Sequence, residues 1–250
     1  MNTGPHDVRV LPDPPAVAAA AAGEIVNAAL EAISLRKQFS IVLSGGSTPK
    51  LLYQLLTAEP YVSQIEWGKW EFYFGDERGV PQDHADSNFR MATEELLSKV
   101  PVDKRNVHRM QGERPAEEAA QDYGRLLKKH FGDVRPGAGP DVTLLGMGDD
   151  GHTLSLFPHT PATKEPRHRC VGQFVENSTT GPSWRITMTA AFVNSSRLVL
   201  PLITGAGKAA RLKEVLTGPH DPERLPIQLI KPAAPGRTVW LVDQAAAAQL

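Results

Sequence analysis

The chain has 250 residues, with 27 Lys and Arg against 28 Asp and Glu, so its formal net charge is −1. That balance excludes a general nucleic-acid binder, which carries a basic excess. At 41% hydrophobic and 22% charged residues, it reads as an ordinary soluble globule, one domain over 1–250 with length enough for a sizeable core. The single cysteine, Cys170, excludes an intrachain disulfide and points to a reducing, cytoplasmic setting, with the thiol buried in a strand. The start lacks a basic-then-apolar leader. Its longest apolar run, Ala16–Ala22, is too short to span a bilayer, so no membrane partner is expected.

In chain order, Met1 to Asp13 is polar and proline-spotted, and is read as irregular or extended. Pro14-Pro15 suits the first turn of a helix. A helix is predicted over Ala16–Leu35, with Ile25, Val26, Leu30 and Ile33 as its core stripe. Phe39–Leu43 reads as a buried strand, followed by a helix with Leu51, Leu52, Leu55 and Leu56 on one side. Trp70–Phe74 is the next strand, then a polar loop Gly75–Asp86 and a helix capped by Ser87 that runs to about Lys99. A short strand at Val107 precedes a helix over Pro115–His130, acidic early and basic late as its dipole prefers. Val142–Leu145 is a further buried strand. Strands are then predicted near 168–175, 184–189, 197–203 and 237–242, and helices near 206–217 and 243–250. This alternation predicts an α/β fold: a Rossmann-like, mostly parallel sheet with helices on both faces. The stretch 155–190, with two strands and no intervening helix, is read as a small excursion from it.

Four polar loops directly follow strands: Ser44–Thr48, Gly75–Asp86, Gly146–His152 and Thr204–Lys208. In a parallel sheet all four converge at the carboxyl edge, where open α/β sheets bind ligands. Ser44, Gly45, Gly46, Ser47 and Thr48 combine close backbone approach, hydroxyls and a helix start, which together suit an anion such as phosphate. The loop is neither a Walker A sequence nor a GxGxxG fingerprint, which disfavours a nucleotide. Asp76 and Arg78 stand at the end of a very apolar strand. Arg78 can grip phosphate oxygens, and Asp76 can position a water, a hydroxyl or a cation. His152, in a glycine-rich loop two residues after Asp150, suits a general base near neutral pH. A metal held by Asp149, Asp150 and His152 lacks a second His or Cys at metal spacing, and none is expected. Lys208 sits at a helix start, where the dipole disfavours a cation and an anionic ligand would compensate. Arg185 is a further candidate, weighed against an exposed strand cation. The set describes water-mediated hydrolysis or proton transfer on a small phosphorylated metabolite.

At these positions the sequence resembles the 6-phosphogluconolactonases. The resemblance rests on Leu43-Ser44-Gly45-Gly46-Ser47-Thr48-Pro49, on Gly75-Asp76-Glu77-Arg78 with Val80-Pro81 and His84-Ala85-Asp86-Ser87-Asn88, and on Leu145 to Thr153 through Ser155-Leu156-Phe157-Pro158. Arg185 to Thr189 and Gly205-Ala206-Gly207-Lys208 complete it, in the family's order over almost the whole chain. It implies a fold shared with glucosamine-6-phosphate deaminases and opening of a phosphorylated sugar δ-lactone by water, without a cofactor. It also implies roles. His152 would be the base, oriented by Asp150 or by Asp76. Ser44, Gly45, Gly46, Ser47 and Thr48 would line the sugar-phosphate pocket, and Arg78, Arg185 and Lys208 would supply positive charge for phosphate or the developing oxyanion.

Two rivals are set against this reading. A glucosamine-6-phosphate deaminase resembles the same phosphate loop and Asp-Gly-His stretch. Such enzymes typically carry Asp-Glu-Tyr where this chain has Asp76-Glu77-Arg78, and an Ala-Phe-Asn-Glu-like run where it has Thr153 to Pro158. A non-catalytic sugar-phosphate sensor usually brings a second domain, for which the chain has no spare length. A monomer is the simplest oligomeric expectation.

Overall fold

The computed structural model describes residues 6–176, 181 and 183–250. The first five residues of the expected extended opening, and 177–180 and 182 of the excursion, lie outside the described residues. Among the described residues ten strands run in order: β1 (Asp7–Leu11), β2 (Phe39–Leu43), β3 (Trp70–Phe74), β4 (Asp76–Arg78), β5 (Val107–His108), β6 (Val142–Leu145), β7 (Cys170–Val175), β8 (Ser183–Met188), β9 (Leu198–Ile203) and β10 (Arg237–Asp243). Seven of them form a parallel sheet in the order β1-β10-β9-β6-β2-β3-β5. The helices are α1 (Pro14–Arg36), α2 (Ser47–Leu56), α3 (Tyr61–Gln64), α4 (Asn88–Ala92), α5 (Ala116–Phe131), α6 (Ala190–Val193) and α7 (Ala209–Thr217).

Side chains alternate across a strand, and β10 shows both faces covered. Val239 and Leu241 join the main core with α1, whereas Trp240 and Val242 join a second core built around Leu212 and Val215 of α7. Helix α1 starts at its diproline turn, where Asp13 caps Ala16 N at 2.8 Å, an interaction worth about 1 kcal/mol. Its core face differs from the predicted stripe. Val17, Ala18, Ala21, Ala22, Ile25, Ala29 and Ala32 are buried, while Leu30 points to solvent. Alanines let the helix lie close to the sheet and to α2. By length and hydropathy α1 as a whole is long and apolar enough to cross a bilayer, unlike the short Ala16–Ala22 run. In the fold its alanine face is committed to the core.

The excursion is a three-stranded antiparallel sheet in the order β4-β8-β7, and its strand β4 falls inside the segment read as a polar loop. The chain leaves β3, turns at Gly75, and enters this second sheet at once. Gly75 N donates to Leu43 O at 3.0 Å, and Met188 N donates to Gly75 O at 2.8 Å, so the two sheets are pinned at that residue. Ser87 caps α4, which continues as one π-helical turn over Thr93–Leu97. The predicted C-terminal helix near 243–250 is instead a series of turns, tied by Ala246 N and Ala247 N to Asp243.

The sheet order reverses at β2. The chain moves to β3 on one side, and later to β6 on the other. The loops that follow β2 and β6 therefore diverge at this switch point and leave a crevice at the carboxyl ends of the strands.

Candidate active site

A cavity of ≈ 440 Å³ occupies that crevice. All four sequence-predicted loops reach it: Ser44 to Thr48 after β2, Asp76 and Arg78 in β4, Gly146 to Asp150 with His152 after β6, and Thr204 with Lys208 after β9. Each side chain is placed by a strand end, so a rigid scaffold fixes the constellation.

His152 and Asp150 form its most defined pair. His152 Nδ1 lies 2.6 Å from Asp150 Oδ1, and the same oxygen accepts the His152 backbone N–H at 3.0 Å. The imidazole stacks on Phe157 with centroids 4.1 Å apart, which holds the ring plane. With Nδ1 engaged by the carboxylate, Nε2 is the nitrogen offered to the cavity. Burial opposes ionisation of Asp150, but hydrogen bonding from His152 outweighs it and holds the carboxyl below its ordinary range. The loop is tight enough to require glycine at 148. A Cβ there would sit 2.1 Å from His152 Nδ1 and 2.6 Å from Asp150 Oδ1. Thr153 Oγ1 closes the loop by donating to Gly146 O at 2.8 Å.

Of the two carboxylates considered as partners for the imidazole, Asp150 is the one bonded to it. Asp76 is buried and held elsewhere: Ser155 Oγ donates to its Oδ2 at 2.6 Å, and Asn88 Nδ2 donates to its backbone O at 2.9 Å and its Oδ1 at 3.2 Å. Asn88 and Ser155 were not singled out from sequence. Both sit in the family-like stretches, yet an uncharged side chain bonded to a distant carboxylate leaves no spacing signal. Asn88 also packs against the Ser44–Thr48 loop, where a Cβ on Gly45 would lie 2.1 Å from its Oδ1.

That loop opens α2 without a side-chain cap, which leaves first-turn amides directed at the cavity edge. Ser44 is buttressed from behind by Tyr53, whose hydroxyl accepts from Ser44 N at 3.0 Å and donates to Ser44 O at 2.8 Å. Thr48 Oγ1 and Thr204 Oγ1 meet at 2.7 Å and join the first loop to the fourth.

The cations are arranged unequally. Lys208 lines the cavity and pairs with Asp149, Nζ to Oδ1 at 2.6 Å. Its carboxylate partner offsets the unfavourable helix-start position that the sequence reading assigned to an anionic ligand. Asp149 is largely exposed, at 81%, so the pair stands open to solvent at the cavity edge. Arg78 lines the cavity and donates to Asp86 O. Arg185 does not line it. It stands opposite Arg78 in the antiparallel pair β4–β8, buried in the wall rather than exposed on the strand. Burial and the neighbouring Arg78 charge push its guanidinium below its ordinary range.

Fold and site define a doubly wound α/β protein with a cavity rimmed by a helix start, Arg78 and Lys208, and an imidazole–carboxylate pair, at its switch point. The pattern of the glucosamine-6-phosphate isomerases/6-phosphogluconolactonase family matches residues 12–240, and the chain belongs to that family. A 6-phosphogluconolactonase from Nostoc sp. is 40% identical over 247 residues, covering 97% of this chain and 98% of the relative. The human 6-phosphogluconolactonase is 38% identical over 214 residues, covering 85% and 81%. The solved structure of 6-phosphogluconolactonase from Trypanosoma brucei aligns with a TM-score of 0.84 at 30% identity, covering 100% of both chains. A monomeric glucosamine-6-phosphate deaminase also aligns with a TM-score of 0.84, at 19% identity, a likeness of fold alone.

Proposed function

We propose that this chain hydrolyses 6-phospho-D-glucono-1,5-lactone to 6-phospho-D-gluconate, the reaction of the oxidative pentose phosphate pathway, with His152 as the base. The observation that carries the reading is the His152–Asp150 pair at 2.6 Å, facing a cavity rimmed by an uncapped helix start, Arg78 and Lys208. Nδ1–H donates to Asp150, so the lone pair on Nε2 takes a proton from water as the oxygen attacks C1 of the lactone. The carbonyl oxygen becomes an oxyanion, and Arg78 at the wall offers charge for it, with Arg185 adding positive potential from behind. Collapse of the tetrahedral intermediate breaks the bond from C1 to the ring oxygen. The imidazolium returns its proton to that oxygen, and His152 is regenerated. The phosphate is held by Ser44 to Thr48 and the first-turn amides of α2, with Lys208 swinging from exposed Asp149 to the ligand. No step calls for a redox or nucleotide cofactor. The cavity volume of ≈ 440 Å³ suits a phosphorylated hexose.

The test is turnover of freshly made lactone, with product coupled to 6-phosphogluconate dehydrogenase and the spontaneous rate subtracted. Rapid turnover is expected. A folded protein that binds 6-phosphogluconate without turning over lactone would be a sensor instead. One that converts glucosamine 6-phosphate with ammonia release would be a deaminase. Lys208→Ala is expected to raise KM severalfold with little change in kcat, because phosphate contacts are made equally in the ground and transition states. An unchanged KM would take Lys208 out of phosphate binding.

A further inference from the structure

At the opposite, amino-terminal edge of the same sheet lies a second cavity of ≈ 410 Å³. It is bordered by residues that start or precede strands, Gln38 and Ser40 near the start of β2, Glu71 early in β3, Asp141 before β6 and Arg197 before β9, and by Tyr73 further along β3. The arginines here are already committed. Asp141 pairs with Arg36 at 2.5 Å and Arg197 at 3.4 Å, and also accepts from the Ser40 backbone and hydroxyl. Beside this closed ion-pair group stands a different one. Glu71, His108 of β5 and His130 of α5 each offer one ring nitrogen or carboxylate oxygen, and these atoms lie within 4.8 Å of one another.

We propose that Glu71, His108 and His130 form a binding site for a borderline divalent cation of the zinc class, separate from the active site. The donor set of two imidazoles and one carboxylate is one that zinc accepts, leaving a fourth position for water. Ligands about 2.0–2.2 Å from a tetrahedral ion stand about 3.3–3.5 Å apart. The three donor atoms, within 4.8 Å of one another, straddle that spacing and reach it by side-chain rotation.

Its surroundings are already organised. His108 Nε2 and Glu71 Oε2 share a hydrogen bond at 2.5 Å, so the two donor atoms already face each other and part when an ion takes the place of the shared proton. The Tyr73 ring stacks on His108 at 4.8 Å, and its hydroxyl lies 2.6 Å from His130 Nδ1, holding both imidazoles from outside the ligand set. Gln38 Nε2 donates to the other Glu71 oxygen at 2.6 Å. Glu71 and His108 are partly buried and His130 is exposed, so an ion reaches the site from solvent. The ion ties the short terminal strand β5 to β3 and α5, with the reacting groups at the other end of the strands.

The test is calorimetric titration of Zn²⁺ into the full chain near neutral pH, with Mg²⁺ as a hard-cation control. Wild type is expected to take up one Zn²⁺ per chain and no Mg²⁺, and its melting temperature should rise with zinc. His152→Ala should bind zinc unchanged, which separates this site from the Asp150–His152 loop. His130→Gln and His108→Gln should each weaken binding by about tenfold or more, and His130→Gln should keep wild-type lactone turnover. His130 is exposed, so its variant decides the matter if His108→Gln fails to fold. Absence of saturable zinc uptake, uptake of equal affinity in His130→Gln, or uptake lost in His152→Ala would each overturn the proposal.

Discussion

Replacing His152 with alanine is expected to lower kcat for lactone hydrolysis by about 10²–10⁴-fold, the usual cost of a lost general base. The geometry makes the expectation sharp. Asp150 fixes Nδ1, Phe157 fixes the ring plane, and among the described residues lining the cavity there is no second histidine to replace it. The substrate contacts proposed for Ser44 to Thr48 and Lys208 are untouched, so KM should move little. The measurement is steady-state turnover of both proteins with the spontaneous rate subtracted. Near-wild-type kcat in His152→Ala would remove His152 from the mechanism and leave buried Asp76, at the same cavity, as the next group to test.

Glu77→Ala should produce the largest loss of stability. Glu77 is 2% exposed and organises the segment that follows β3. Its Oε1 accepts from Arg78 N and Asn88 N at 2.8 Å, and its Oε2 accepts from Phe89 N at 2.9 Å and Ser87 Oγ at 3.0 Å. Burial pushes this carboxyl above its ordinary range, against the four donors that favour its charged form. Alanine would strand three backbone N–H groups and a hydroxyl where water has little access. At about 1–3 kcal/mol for each buried group left unmade, partly relieved by relaxation, a loss of about 3 kcal/mol or more is expected in denaturant unfolding. Glu77→Gln should be destabilising too, since one amide oxygen can serve only two of the donors while the –NH₂ faces the others. A loss below about 1 kcal/mol would mean that water or a rearranged loop satisfies them. Because the same bonds set the positions of Arg78 and Asn88, turnover should fall in step.

The path from sequence to site was uneven for identifiable reasons. Runs such as Phe39–Leu43 and Val142–Leu145 are apolar but for Ser40 and Thr143, a pattern that suits a strand buried on both faces, and they form strands over those same residues with every position buried. Once the strands are placed, parallel topology brings their following loops to one edge, so the meeting of Gly46, Arg78, His152 and Lys208 was legible without any contact being known. Strand β4 was not legible. Asp76-Glu77-Arg78 is short and charged, and it is a strand only because β8, more than a hundred residues later, pairs with it. The same pairing buries Arg185, which reads in sequence as a solvent-facing cation. The inner face of α1 misled because alanine marks a face less strongly than leucine does, while Leu30 points outward. Glu77, Asn88 and Ser155 were silent because their importance lies in bonds to groups that folding brings near.

Cys170 begins β7, is 4% exposed, and has its thiol pushed up by burial. It therefore stays protonated and shielded, the opposite of the exposed thiolate that peroxide, alkylating agents or disulfide exchange capture. As it is the only cysteine, the folded protein presents no sulfhydryl handle to oxidants. Its turnover should hold steady through shifts in the thiol–disulfide balance that would switch a cysteine-dependent catalyst on or off.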